Sequence, residues 1–65
     1  MTYTIIYYPS NINGNFGAWA RYYNGYTSAA AAKRDIKDLE ECGNVAFVLK
    51  SSEVDAWVNE NSKIL

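Results

Sequence analysis

From Ile5 to Tyr23 the chain carries a single charge, Arg21, together with four tyrosines, Phe16 and Trp19. A run so rich in β-branched and aromatic residues and so poor in charge has to be satisfied by a sheet, and its breaks set the strand lengths. Residues 2–8, "TYTIIYY", read as a strand that stops at Pro9, which has no N–H to offer a ladder. "SNING" supplies turn formers, with Asn13-Gly14 tolerating positive φ, and residues 16–23 are expected to resume as a second strand. Residues 2–23 therefore read as a hairpin with a longer loop, closed by Asn24-Gly25.

The next segment changes period. Thr27 or Ser28 offers an N-cap oxygen, four alanines open a helix over about residues 28–42, and Ala29, Ala32, Ile36 and Leu39 fall on one stripe. Gly43 stands where a left-handed residue ends a helix, and "NVAFVLK", residues 44–50, reads as an apolar third strand. Ser52-x-x-Asp55 resembles a capping box, and Val54, Trp57 and Val58 form the inner face of a short last helix. The expected class is α+β in the order ββαβα: one domain over residues 1–65, with a three-stranded antiparallel sheet on one long helix and a short C-terminal helix.

A domain of 65 residues buries only about 60% of its unfolded surface, so packing, a partner or self-association has to make up the difference. With one Cys and no His there is no internal disulfide, no Cys/His zinc cluster and no histidine base. The N-terminal run has neither the basic start of a signal peptide nor the length of a membrane span, and a lone thiol fits a reducing cytoplasm. Net charge is −1, divided unevenly: residues 1–34 carry Arg21, Lys33 and Arg34 and no acid, while residues 35–65 carry all seven acids against Lys37, Lys50 and Lys63. No basic footprint marks a general nucleic-acid binder, and the acidic half is too weakly charged to mimic a polyanion.

Small residues allow a helix to approach a sheet closely, which assigns Ala18 and Ala20 to the side under the alanine-rich helix. Alternation then throws Trp19, Arg21 and Tyr23 onto the opposite face, joined by Ile6 and Tyr8 and by Ala46 and Val48. A patch of Trp, Tyr and Arg has the composition of interface hot spots. The alternative is that the last helix folds over this face with Val54 and Trp57, making the aromatics core.

Catalytic signals are weak. Cys42 lies at a helix C-terminus beside Glu40 and Glu41, where helix dipole and carboxylates disfavour a thiolate. Asp35, Asp38 and Glu41 recur at three-residue spacing, which suits a solvated helix face better than a metal site. Gly14 and Gly17 are followed by no phosphate-binding motif. The chain reads as a non-enzyme without cofactor or metal. Lys33 and Arg34 in the first half of the helix and Asp38, Glu40 and Glu41 in the last oppose the macrodipole, and such violations mark candidate functional positions. The pairs Arg34–Asp38 and Lys37–Glu41 would offset part of that cost.

"YTSAAAAKRDIKDLEECGNVAFVLK", residues 26–50, preceded by an aromatic hairpin, resembles the pattern of small phage-encoded proteins, among them anti-CRISPR inhibitors of surveillance complexes. The resemblance implies a compact protein of a host cytoplasm that blocks a host defence complex by stoichiometric occlusion, and it carries over no individual residue. The expected function is thus a protein-binding module, with Tyr8, Trp19, Arg21, Tyr23, Asp38 and Glu41 as contact residues. Two alternatives are a single-stranded nucleic-acid binder stacking bases on Tyr8, Trp19 and Tyr23, which lacks a basic groove, and a homodimer joined through the aromatic face.

Overall fold

The computed structural model describes residues 1–62 and has the order ββαβα, with two short insertions. Strand β1 (Tyr3–Pro9) is followed by a one-turn helix α1 (Phe16–Trp19), β2 (Arg21–Tyr26), α2 (Ala29–Glu41), β3 (Asn44–Lys50) and, after a 3-10 turn at Ser51–Glu53, helix α3 (Val54–Asn61). The sheet order is β2-β1-β3, with β1 antiparallel to both neighbours. Strands β2 and β3 therefore run parallel with β1 between them, and α2 is the crossover that parallel strands require.

Pairing assigns the faces. Ile5 lies opposite Tyr23 and Val48, and Tyr7 opposite Arg21 and Ala46, so these residues share one face. Ile6 lies opposite Tyr22 and Phe47, and Tyr8 opposite Val45, which places them on the other. Helix α2 covers the Ile5 face, chiefly over β3 and β1. The stripe Ala29, Ala32, Ile36 and Leu39 is its sheltered side, with Ala32 fully buried. Ser28 Oγ accepts from the Ala31 N–H at 3.4 Å, Gly43 adopts φ 87°, and the Asn44 side-chain amide donates to the Leu39 carbonyl at 3.0 Å, so both ends of α2 are capped. No acid stands in its first turn and no base in its last. At 13 residues it is of ordinary length.

The face of Ile6 is covered as well. Trp57 of α3 stacks on Tyr8 at 6.3 Å and tilts against Phe47 at 5.3 Å, while Phe16 of α1 stacks on Tyr8 at 4.8 Å. This is the alternative in which the last helix closes over the sheet, and Ile5 and Ile6, adjacent and on opposite faces, are consequently both 0% exposed. Val54, Trp57 and Val58 are the sheltered side of α3, as their spacing predicts. Its start differs from the expected capping box: the 3-10 turn takes up Ser52, and the cap position falls on Glu53 without a side-chain hydrogen bond.

The expected second strand is corrected at its start. Asn15 takes φ 54° and the Ala18 N–H donates to the Asn15 carbonyl at 3.1 Å, which turns residues 16–19 into α1 and delays β2 to Arg21. Ala18 is consequently exposed, and the small residue beneath α2 is Ala46 of β3, which lies with Val48 on the helix-covered face and not on the opposite one. Asn24-Gly25 does not close β2 either. Tyr3 pairs with Tyr26 but Ile5 with Tyr23, so two residues of β2 face the single Thr4, and Gly25 at φ 92° makes the bulge. That extra residue brings Tyr26 back to the same face as Tyr23.

Candidate functional site

Strand β2 is an edge, and all of its residues but Tyr26 are exposed. Because α2 lies mainly over β3 and β1, the β2 margin of the sheet is left open on the helix side. Tyr23, 49% exposed, stands there with Arg21 on the same face, while Tyr22, 37% exposed, points to the opposite face. Trp19, at the end of α1 just before the strand, is 58% exposed. Three of the largest exposed apolar side chains thus fall within five consecutive residues around one sheet edge.

Between this edge and α2 runs an open cleft of about 340 Å³ lined by Tyr23, Tyr26, Asp35, Asp38 and Leu39. The Tyr26 hydroxyl donates to Asp35 Oδ2 at 2.6 Å, and this bond to a carboxylate holds the phenol above its usual pKa range, with smaller contributions from desolvation and the Asp35 charge. Tyr23 stacks on Tyr7 with centroids 5.2 Å apart and planes 17° from parallel. The Tyr7 hydroxyl is also raised, first by the neighbouring Tyr23 hydroxyl and then by burial, against the opposing charge of Arg21. Neither Arg21 nor Asp38 has an ion-pair partner among the described residues. The cleft therefore offers one carboxylate already engaged by a phenol, one that is open, and an aromatic wall: a surface suited to a cation with a flat face.

The expected contact residues divide. Trp19 and Arg21 are exposed at the edge, and Tyr23 and Asp38 come together across the cleft. Arg21 and Tyr23 lie on the α2 side of the sheet, not opposite it, because Ala18 and Ala20 do not set the phase of β2. Tyr22, expected under the helix, occupies the other face for the same reason. Tyr8 is half-buried among Phe16, Phe47 and Trp57 and does not stand on the open edge. Glu41, the last residue of α2, is exposed but does not line the cleft. Sequence reasoning missed Tyr22, Tyr26 and Asp35 as neighbours of this site. The signal for Tyr26 was present in Asn24-Gly25, a dipeptide that serves a bulge as readily as a strand end.

Among the described residues no group of three or more acids or cysteines could hold a metal ion, and the pairs Arg34–Asp38 and Lys37–Glu41 do not come within ion-pair distance. No helix among them is long and apolar enough to cross a membrane. No family model matches the chain, and no curated protein or solved structure is found to be similar to it.

Proposed function

We propose that this chain is a non-catalytic protein-binding module whose contact surface is the β2 margin, with Trp19, Arg21 and Tyr23 as its centre and Asp38 on its rim. The observation that carries this reading is the exposure of Trp19, Tyr22 and Tyr23 around a single sheet edge next to Arg21, since Trp, Tyr and Arg are the residues on which interface energy concentrates. A base-stacking surface is less well supported, because Tyr8 and Tyr23 lie on opposite faces and Tyr8 is engaged by three other rings. The resemblance of residues 26–50 to phage-encoded inhibitors adds the proposal that the partner is a host defence complex blocked by occlusion in the host cytoplasm.

The two tryptophans provide the test. Trp19→Ala should leave the melting temperature nearly unchanged and weaken a partner captured on the wild-type protein by about 2 kcal/mol or more, the scale of an interface anchor. Trp57→Ala, which empties the centre of the ring cluster, should instead lower stability by about 3 kcal/mol or more. A partner retained at full affinity by both Trp19→Ala and Tyr23→Ala would remove the β2 margin from the contact.

A further inference from the structure

We infer that the free edge of β2 pairs antiparallel with β2 of a second copy of this chain, making one continuous sheet across a twofold axis at Tyr22. Strand β2 has β1 on one side only, so every second backbone N–H and C=O along it faces outward. Edges are commonly guarded by Pro, by Lys or by a bulge. Here β2 contains neither Pro nor Lys, and its bulge, at Asn24-Gly25, sits at the far end, leaving Arg21–Tyr23 as a regular template.

Side-chain chemistry selects the occupant and the register. A twofold axis perpendicular to the sheet keeps each face on its own side, so residues of like face must meet. With Tyr22 opposite Tyr22, Arg21 lies opposite Tyr23 of the second copy, on the face where the cleft opens. Arg21 would then extend over the Tyr23 ring toward Asp38 of that copy, joining a cation and a carboxylate that have no ion-pair partner within one chain among the described residues. The same contact repeats on the other side of the axis. On the opposite face the two Tyr22 rings become cross-strand neighbours. The other edge, β3, offers no such self-complementarity, since Lys50 is its one charge. The pairing takes up Arg21, Tyr23 and Asp38 of the contact surface proposed above, so it rests on that reading and names a second copy as an occupant that a host partner would have to displace, while Trp19, which precedes the paired segment, stays outside it.

Light scattering and sedimentation equilibrium on the whole chain provide the test. The wild type should form a dimer of twice 7.3 kDa whose dissociation weakens neither fold nor helix content. Arg21→Glu places like charges across both contacts and should weaken the dimer roughly a hundredfold or more, as should Asp38→Arg. Mixing the two variants should restore a dimer containing one of each, because both cross-axis contacts then again join opposite charges, and a chain carrying both changes should dimerise alone. A wild type that stays monomeric at the highest soluble concentration would overturn the proposal, as would a dimer insensitive to Arg21→Glu or one that the mixture fails to restore.

Discussion

Thr4 is a polar residue in the most buried strand, 1% exposed, and its surroundings explain why it is tolerated. The Thr4 hydroxyl donates to Asn24 Oδ1 at 3.0 Å, which leaves its lone pairs for the Ser51 hydroxyl at 2.8 Å, and Ser51 Oγ in turn accepts from Thr2 at 2.9 Å. The donors run in one direction, Thr2 to Ser51 to Thr4 to Asn24, and tie the bulge of β2 and the end of β3 to the central strand. Thr4→Val keeps the shape but leaves Asn24 and Ser51 each short of a partner, and should cost about 1–3 kcal/mol in urea denaturation, with Thr4→Ser recovering most of it. A second residue-scale effect depends on pH. The folded Tyr26 phenol is held above its unfolded value of about 10 by its bond to Asp35, so the stabilisation is complete below that value and is lost as pH rises through the folded one. The stability difference between the wild type and Tyr26→Phe should therefore be constant around neutrality and shrink in strong alkali. A difference that does not change with pH would mean that the bond does not favour the neutral phenol.

At the scale of elements, what the residues declared locally was legible. The stripe of α2, its Ser28 cap, its Gly43 stop and the bounds of β3 all follow from side chains acting on their own backbone or at helical spacing. What was not legible depended on elements distant in sequence. Phe16, Gly17, Ala18 and Trp19 have the composition of a strand, yet they form a helical turn because Phe16 stacks on Tyr8 and Gly17 lies against α3. A Cβ on Gly17 would stand 2.8 Å from the Val58 carbonyl oxygen and would also strike the Ser62 side chain. Gly17→Ala should therefore push α1 away from α3 and destabilise the fold by about 1–3 kcal/mol, as overpacking does, although alanine is the better helix former. Trimming the neighbour with Ser62→Gly should recover only part of the loss, because the Val58 carbonyl is backbone and cannot step aside. Near-ultraviolet circular dichroism, which senses Trp19 and Trp57, checks the displacement. The same distant packing reversed the expected faces of Tyr22 and Tyr23: the alternation that singled out Trp19, Arg21 and Tyr23 had the wrong phase, although these side chains are exposed at the edge with Asp38 across the cleft, while Tyr8 was drawn into the core by α3, the alternative in which the last helix covers that face.

At the scale of the whole molecule, the order β2-β1-β3 puts a single strand at the centre of everything. Strand β1 pairs on both sides and is covered on both faces, by α2 on the Ile5 side and by the Phe16, Phe47 and Trp57 rings on the Ile6 side. A chain this short thus builds two thin cores that share one strand, each supplying the covering of one face of β1. Total stability for such a domain is expected at about 0.05–0.15 kcal/mol per residue, while removing a buried isoleucine side chain costs about 2–5 kcal/mol. Ile5→Ala and Ile6→Ala should consequently each remove a large part of the folding free energy, by similar amounts, although they act on opposite faces. Each should also collapse protection of both helices together in amide hydrogen exchange, since loss of β1 removes the surface on which α2 and α3 separately rest. If Ile6→Ala freed only α1 and α3 while α2 stayed protected on β1 and β3, the two faces would be independent units, and the aromatic face would be an accessory to a core carried by α2 alone.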